Sequence, residues 1–376
     1  MTIPSSIKRR KTKAIWVGKV KIGDGAPISV QSMTKTDPTD ISATVKQIKE
    51  LENLGCEIIR LAIPHHNAAS VISRIKRKIK IPIEADIHFN PKLALESIKQ
   101  GVDAIRLNPG NITDKNAISE IVKRARKAHI PVRVGVNSGS INGWFRSSLR
   151  HQITPNKKIS IQGGPKTMWQ AMADAALEYI KYLESLNFND IIISLKASDV
   201  ISTVNAYRYI SKLCDYPLHL GVTASGILED ATVKSSIGIG ALLLDGIGDT
   251  IRVSITGPPH DEVKIGYKIL QSLGLRSQRF EIISCPTCGR CEMDIIRITR
   301  KVKSLLEKAP GLNNKNKNIK VAVMGCVVNG PGEAAECDIG IAGGKGFGFL
   351  FKHGQRIRKI PESQIVTELI KEIRRI

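Results

Sequence analysis

The chain has 376 residues, of which 42% are hydrophobic and 4% aromatic, and its formal net charge is +23. This length exceeds what one hydrophobic core usually supports, so we expect two domains. Neither an apolar run of about 18 residues nor the apolar segment of a secretory signal is visible, which argues against a membrane protein and predicts a cytoplasmic location. The positive charge favours anionic ligands, but scarce aromatic residues and the lack of a recognition motif argue against nucleic acid.

Eight short apolar runs rich in β-branched residues follow one another along the first two thirds of the chain. They begin at Ile28, Glu57, Ile81, Asp103, Pro131, Asp190, Pro217 and Asp249. Segments of helical periodicity separate them; Asp40 is placed to cap the first helix, and Gly101 to end a later one. Strands that alternate with helices predict a parallel sheet, and eight such units fit a (β/α)8 TIM barrel, with a doubly wound open sheet as the alternative.

The predicted barrel domain covers residues 1–273 and carries a basic insert at about residues 140–165. Residues 274–280 are a predicted linker, and residues 281–376 form a predicted smaller α/β domain. In this second domain two strand-like runs flank a segment with helical periodicity, which is the pattern of a parallel βαβ unit.

Polar side chains follow the predicted barrel strands, at the end where TIM-barrel enzymes place their active sites. Five are cations from five different strands, an arrangement that is unfavourable unless an anion neutralises it. Arginine matches phosphate oxygens with two parallel hydrogen bonds, so the pattern indicates a diphosphate ligand. Asp86 either orients a substrate hydroxyl or pairs with a neighbouring arginine. The strand-end residues are Arg60, Asp86, Arg106, Asn108, Arg133, Asn137, Lys196, Arg252 and Ser254.

Three of the seven cysteines lie in the stretch CPTCGRC, which begins at Cys285, and Cys326 follows the second strand-like run of the smaller domain. Because parallel strands end at the same edge of a sheet, Cys285, Cys288 and Cys326 can converge. A zinc ribbon needs a second C-x2-C pair, and a ferredoxin run needs a fourth cysteine at a set distance; the sequence has neither. Three thiolates leave one iron of a 4Fe–4S cluster open, and Glu333, beyond a predicted turn at residues 329–332, is within reach as an exchangeable oxygen ligand.

Taken together, these motifs resemble the bacterial two-domain form of the 4-hydroxy-3-methylbut-2-enyl diphosphate synthase family of the non-mevalonate isoprenoid pathway. The resemblance rests on ADIHF, RLNPGNI, VGVNSGS, LKASD, LHLGVT and GIGDTIRVS in the barrel, and on SCPTCGR and MGCVVNGPGE in the smaller domain. It runs from GAPISVQSMT to the end of the second domain, and CVVNGPGE is a highly specific motif.

The resemblance implies an oxidoreductase that opens the ring of 2-C-methyl-D-erythritol 2,4-cyclodiphosphate and removes water, with two electrons, to give 4-hydroxy-3-methylbut-2-enyl diphosphate. It implies a 4Fe–4S cluster held by Cys285, Cys288, Cys326 and Glu333, with Cys291 as a bystander. It also implies flavodoxin or ferredoxin as the electron donor, and a homodimer in which the smaller domain of one chain closes the barrel of the other. The second domain is basic and would attract an acidic electron-donor protein, although the barrel is basic as well.

The resemblance also assigns roles to the strand-end residues. Asp86 and Asn108 match positions near the substrate's hydroxyl groups and join Glu333 as expected catalytic residues. One position departs from the family, because Ala224 follows LHLGVT where members carry a glutamate that faces the substrate. The expected diphosphate-binding residues are Arg60, Arg106, Arg133, Asn137, Lys196, Arg252 and Ser254.

Two other functions are compatible with parts of the pattern. A pterin-binding transferase with structural zinc would also join a barrel to a cysteine-bearing domain. A non-catalytic iron–sulfur or nucleic-acid-binding protein would have no need for converging cations and would bind polyanions with a steep salt dependence. The remaining cysteines, Cys56, Cys214 and Cys337, are expected to serve as small hydrophobic residues.

Overall fold

The chain divides into two compact units, Pro4–Arg276 and Ser277–Ile376. Most of the predicted insert at residues 140–165 lies outside the described residues, and so does Ala224. No helix within the described ranges is both long and apolar enough to cross a membrane. The structure is a computed structural model that describes residues 7–140, 167–223, 226–277, 280–308 and 319–376.

A short antiparallel hairpin, β1 (Ile15–Val17) and β2 (Val20–Ile22), precedes the barrel. Its apolar side chains pack against three residues near the amino ends of barrel strands, Ile58, Ala104 and Ile192. The hairpin therefore covers the amino-terminal end of the barrel, and polar strand ends remain at the opposite, carboxyl end. No periodic pattern in the sequence predicted this hairpin.

The first unit is a TIM barrel, which confirms the predicted fold and excludes the doubly wound sheet. Its parallel strands are β3 (Ser29–Met33), β4 (Ile58–Ile63), β5 (Ile83–Ile87), β6 (Ala104–Leu107), β7 (Val132–Asn137), β8 (Ile191–Lys196), β9 (His219–Leu220) and β10 (Thr250–Ile251). They are joined in the order β8-β7-β6-β5-β4-β3-β10-β9. A parallel bridge between Ile193 and Leu218 brings β8 against β9, so the sheet closes on itself.

Helices alternate with these strands, as the periodicity predicted. Asp40 caps the first of them, because its carboxylate accepts the backbone N–H of Ala43 at 2.9 Å. Gly101 follows the fourth with φ of +80°, a conformation that glycine adopts without steric strain. The helices of this unit whose bounds lie within the described residues are α1 (Ile41–Asn53), α2 (His66–Ser70), α3 (Ile72–Lys76), α4 (Pro91–Lys99), α5 (Lys115–Ala128), α6 (Met168–Ser185), α7 (Val200–Ile210), α8 (Leu228–Leu244) and α9 (Pro259–Ser272).

The second unit is a five-stranded sheet with helices on both faces. Its strands, in sheet order, are β11 (Phe280–Ser284), β12 (Ile319–Met324), β13 (Ile339–Gly344), β14 (Phe347–Lys352) and β15 (Gln355–Pro361). The first three run parallel, which confirms the predicted βαβ unit, and the last two add an antiparallel ladder. Helices α10 (Ile295–Lys308) and α12 (Ile365–Ile373) pack on one face, whereas α11 (Gly330–Ala335) packs on the other.

Candidate functional site

The five predicted strand-end cations point into the barrel. Two interior glycines make room for them. A β-carbon on Gly135 would collide with the guanidinium of Arg106, and a β-carbon on Gly221 would lie 2.8 Å from Nζ of Lys196. All five side chains are buried or nearly so: Arg60, Arg106, Arg133, Lys196 and Arg252.

Asp86, near the end of β5, links two of these cations. Its Oδ1 lies 3.1 Å from Nη1 of Arg106, and its Oδ2 lies 3.5 Å from Nε of Arg60 and 3.6 Å from Nε2 of His88. Burial alone would raise the pKa of this carboxyl, but Arg60, His88 and Arg106 outweigh burial and hold the pKa well below its usual range. Asp86 therefore stays ionised and makes the ion pairs that were one of its two expected roles.

Glu84, two residues earlier on β5, is a buried carboxylate that the sequence analysis did not single out. Its Oε1 lies 2.5 Å from Nη2 of Arg133, whose Nη1 donates a hydrogen bond to Oε1 of Gln31 at 2.8 Å. Burial lowers the pKa of Arg133 to about 9 against the opposing effect of Glu84, so the guanidinium remains charged at neutral pH. The two-residue spacing from Asp86 was the available signal, since it puts both carboxylates on one face of the strand.

Glu262, in the first turn of α9, is a third buried carboxylate beside these cations, and it is fully inaccessible to solvent. We call the carboxyl-terminal part of the barrel interior, which these charged residues line, the barrel mouth. It accepts hydrogen bonds from Nε and Nη2 of Arg252 at 3.3 Å each and from Oγ of Ser32 at 2.9 Å. Nζ of Lys35 lies 3.3 Å away. No sequence signal marked this glutamate, because a helix rather than a strand end delivers it.

Lys196 differs from the arginines, because among the described residues no carboxylate lies within ion-pairing distance of its Nζ. Burial, followed by repulsion from Arg60 and Arg252, lowers the pKa of this amine well below its usual range. His219, on the adjacent strand, is fully buried with neither ring nitrogen hydrogen-bonded, and burial likewise lowers its pKa. The buried charges here are therefore four arginines and Lys196 against three carboxylates, and an anion close to Lys196 would offset the repulsion that lowers its pKa.

The remaining predicted residues of the mouth are polar and uncharged. Oδ1 of the buried Asn108 accepts the backbone N–H of Gly110 at 3.0 Å and the hydroxyl of Ser140 at 3.3 Å. The same hydroxyl donates to the carbonyl of Asn137 at 2.7 Å, so the loops after β6 and β7 are tied together. Ser254, half-buried, follows β10.

The second unit carries the predicted cysteine site at the carboxyl ends of β11 and β12. Cys285, Cys288, Cys326 and Glu333 all line one cavity of about 350 Å³. The structure thus brings together residues that are far apart in sequence. Glu333 is delivered by α11, so the predicted turn at residues 329–332 is in fact the start of a short helix.

Backbone N–H groups point at the sulfur atoms of this cavity. Gly325 donates to Sγ of Cys285 at 3.3 Å, and the amides of Asn329 and Val328 lower the pKa of the Cys326 thiol. Such donors stabilise thiolate over thiol and are typical of sulfurs that ligate iron. The three predicted thiols and the carboxylate of Glu333 share a cavity of about 350 Å³, and this combination of soft donors with one oxygen fits a 4Fe–4S group.

Cys291 also lines this cavity, and its expected role as a bystander rather than a ligand stays a prediction. Its thiol donates to the carbonyl of Met293 at 3.2 Å, and its sulfur packs directly against Gly325. Cys291 is thus an additional thiol beside the predicted ligands. Of the other cysteines, Cys56 and Cys337 are buried.

Comparison with known proteins identifies the family. A family model described as the GcpE TIM-barrel domain matches residues 12–267, and one described as the GcpE protein C-terminal domain matches residues 281–375. The chain belongs to the GcpE family. It is 53% identical to 4-hydroxy-3-methylbut-2-en-1-yl diphosphate synthase (flavodoxin) of Thermodesulfovibrio yellowstonii, over 98% of this chain and 100% of that one.

Two further relatives with the same curated name agree with this assignment. The chain is 51% identical to the protein of Ruminiclostridium cellulolyticum and 46% identical to that of Geobacter sulfurreducens, and 98% of each chain is covered in both pairs. The resemblance drawn from the motifs is confirmed, and the pterin-binding and non-catalytic alternatives are excluded. The chain is an oxidoreductase of the isoprenoid pathway that this family serves.

Proposed function

We propose that the barrel mouth binds 2-C-methyl-D-erythritol 2,4-cyclodiphosphate for the family's reaction, reductive ring opening and dehydration to 4-hydroxy-3-methylbut-2-enyl diphosphate. The observation that carries this proposal is the balance of buried charge, with four arginines against three carboxylates and one lysine of depressed pKa. A diphosphate adds the missing negative charge and raises the pKa of the lysine again, so the site is matched to a multiply charged anion.

Individual roles are proposed from the contacts together with the family resemblance. Asp86 holds Arg60 and Arg106 in place from two sides, so their donors need little reorganisation to meet phosphate oxygens as the ring opens. Asp86 and Asn108 are proposed to face the substrate's hydroxyl groups. The proposed diphosphate ligands are Arg60, Arg106, Arg133, Asn137, Lys196, Arg252 and Ser254.

Cys285, Cys288, Cys326 and Glu333 are proposed to hold a 4Fe–4S cluster. The support is their common cavity, the amide donors to sulfur and the match of three soft thiolates with one exchangeable oxygen. When bound, the cluster supplies electrons one at a time and a Lewis-acidic iron. Glu333, on a short helix of its own, can leave without disturbing the strands that carry the cysteines.

Flavodoxin is the proposed electron donor, with ferredoxin as the alternative, because the curated relatives carry flavodoxin in their names. The enzyme is proposed to act in the cytoplasm. The proposed domain boundaries are 1–273 and 281–376, with residues 274–280 as the linker.

A homodimer is also proposed, and the surface of α8 supports it. Val233, Ile237 and Leu244 are 58%, 55% and 60% exposed and lie along one side of this helix at intervals of four and seven residues. An apolar stripe of this kind is typical of a surface that a partner covers. Ile237→Lys should shift the sedimentation coefficient to that of a monomer, whereas Leu213→Lys, at a half-exposed site that follows α7 and is not part of α8, should leave it unchanged.

The diphosphate site is tested by Arg106→Lys in the cluster-replete enzyme. Lysine keeps the charge but loses the two-pronged donor, so KM for the cyclodiphosphate should rise and kcat should fall. Arg208→Lys, at an exposed ion pair with Asp245, is the matched control and should behave as wild type. Identical kinetic constants for the two variants would remove Arg106 from the proposed site.

A further inference from the structure

A row of side chains crosses one face of the second unit's sheet. Ser284 pairs with Val323, so Cys285 lies level with Met324, and the ladder continues from Met324 to Ala342, then to Phe349. The hydrophobic cluster on the α11 face contains these side chains, which shows that they share that face. The row therefore runs along one face from the cysteine cavity, beside β11, toward the opposite edge of the sheet at β15.

At its far end the row meets two aromatic rings, each covered by a cation. The guanidinium carbon of Arg356 lies 3.4 Å from the ring centroid of Phe349, and Nζ of Lys359 lies 3.8 Å from that of Phe347. The two rings are 5.1 Å apart in an edge-to-face arrangement. We call these four residues the basic–aromatic patch.

The charges of this patch are not neutralised locally. Arg356 and Lys359 are exposed, and within the described part of the chain neither has a carboxylate within ion-pairing distance. Arg358, between them on β15, points to the opposite face and is held by Glu368 and Glu372. Of the three cations on β15, the two on the α11 face are thus the ones without a carboxylate partner among the described residues.

Protection of the sheet edge does not explain the patch. β15 is an edge strand, and charged side chains on such a strand discourage pairing with other chains. That role requires only charged side chains along the edge, and it does not require two partly exposed phenylalanines on one face. Exposed aromatic rings beside arginine are instead typical of protein interfaces.

We propose that the basic–aromatic patch is the docking surface for the acidic electron-carrier protein that reduces this enzyme. From residue 276 onward the chain has 19 basic and 10 acidic residues, a net charge of +9, so an acidic carrier is attracted to this unit. Three strand spacings separate Phe349 from Cys285, about 14 Å, which places a docked carrier close to the cysteine cavity. The inference rests on the proposed cluster site and electron donor.

The electron balance requires two docking events in each turnover. In each event one reduced carrier loses one electron to the redox group held in the cysteine cavity and leaves oxidised. Two such electrons, with two protons, convert the cyclodiphosphate to the linear diphosphate and one water. A carrier that must bind and leave twice suits a small, salt-sensitive interface better than a tight one.

The test uses the cluster-replete enzyme and the double variant Arg356→Glu/Lys359→Glu. With reduced flavodoxin as donor, KM for flavodoxin should rise roughly tenfold or more, and the dependence of the rate on salt should flatten. With dithionite as donor the rate should equal that of wild type, because no protein docking is needed. The matched control is Lys301→Glu/Lys303→Glu on α10, which makes the same charge change on the opposite face of the sheet and should leave KM for flavodoxin near wild type.

Three outcomes would overturn the proposal. An unchanged KM for flavodoxin in the patch variant would show that the carrier docks elsewhere. Equal losses with flavodoxin and dithionite would show that the patch supports folding or chemistry rather than docking. Dissociation of a dimer in sedimentation would show that a second copy of the chain covers the patch. Failure of wild type with dithionite would instead contradict the proposed function itself.

Discussion

Replacement of Glu262 by glutamine tests whether the buried carboxylates hold the barrel mouth together. The change preserves the shape of the side chain but removes its charge and puts an N–H2 group among donors from Arg252, Ser32 and Lys35. Removal of one partner from a fully buried ion pair costs about 3–5 kcal/mol, because the remaining charge is left without compensation. The free energy of unfolding of the barrel should fall by that amount.

Urea unfolding followed by tryptophan fluorescence measures this loss in the barrel alone, since all three tryptophans precede residue 277. With a urea slope of about 3 kcal/mol/M, the midpoint should fall by at least about 1 M. Inorganic diphosphate should restore more stability to the variant than to wild type, because the mouth has gained net positive charge. Glu229→Gln, the same change at an exposed position of α8, should shift the free energy by less than about 0.5 kcal/mol. A midpoint equal to that of wild type would refute the assignment of Glu262 as a required counter-ion.

Three further predictions concern the proposed ligands. Glu333→Ala should retain iron, because three thiolates remain, but should lose most turnover; unchanged turnover would remove this carboxylate from the mechanism. Cys291→Ser should leave iron and acid-labile sulfide near wild-type content, and a loss as large as that of Cys326→Ser would overturn the choice of ligands. Diphosphate binding should take up a proton on Lys196, since its depressed pKa must rise when the anion arrives, so calorimetric enthalpies should vary with the buffer and affinity should fall as pH rises. Lys196→Met should remove the buffer dependence, and its persistence would assign the proton elsewhere.

The sequence predicted the barrel because its elements follow simple periodicities. Buried parallel strands give short apolar runs, and amphipathic helices between them repeat every three to four residues. The hairpin β1–β2 was missed because its strands have only three residues each, too few for a period to emerge. The ladder β13–β15 was missed in part because glycines in residues 340–348 weaken the strand signal.

Site residues could be predicted from the sequence where a barrel strand carries them in a recognisable pattern. They could not be predicted where only the packing of a helix or loop brings them to the site. Lys196 ends β8 and Arg252 follows β10, whereas the other cations and Asp86 lie within their strands, and the parallel barrel brings them all to one interior. Glu84 was recognisable from its spacing to Asp86, but Glu262 comes from a helix and His219 lies deeper on its strand, where no local pattern marks either residue. The position of Cys291 in the cavity likewise depends on how the loop folds back against Gly325.

The most direct test of the account is anaerobic turnover of 2-C-methyl-D-erythritol 2,4-cyclodiphosphate by the purified, cluster-replete protein with dithionite as electron donor. We expect formation of 4-hydroxy-3-methylbut-2-enyl diphosphate with two electrons consumed for each product molecule, despite Ala224 at the position where the family carries glutamate. If a protein with full iron and sulfide content forms no linear diphosphate, the proposed reaction is contradicted. That result would point to an effect of Ala224 and to a different cyclic substrate.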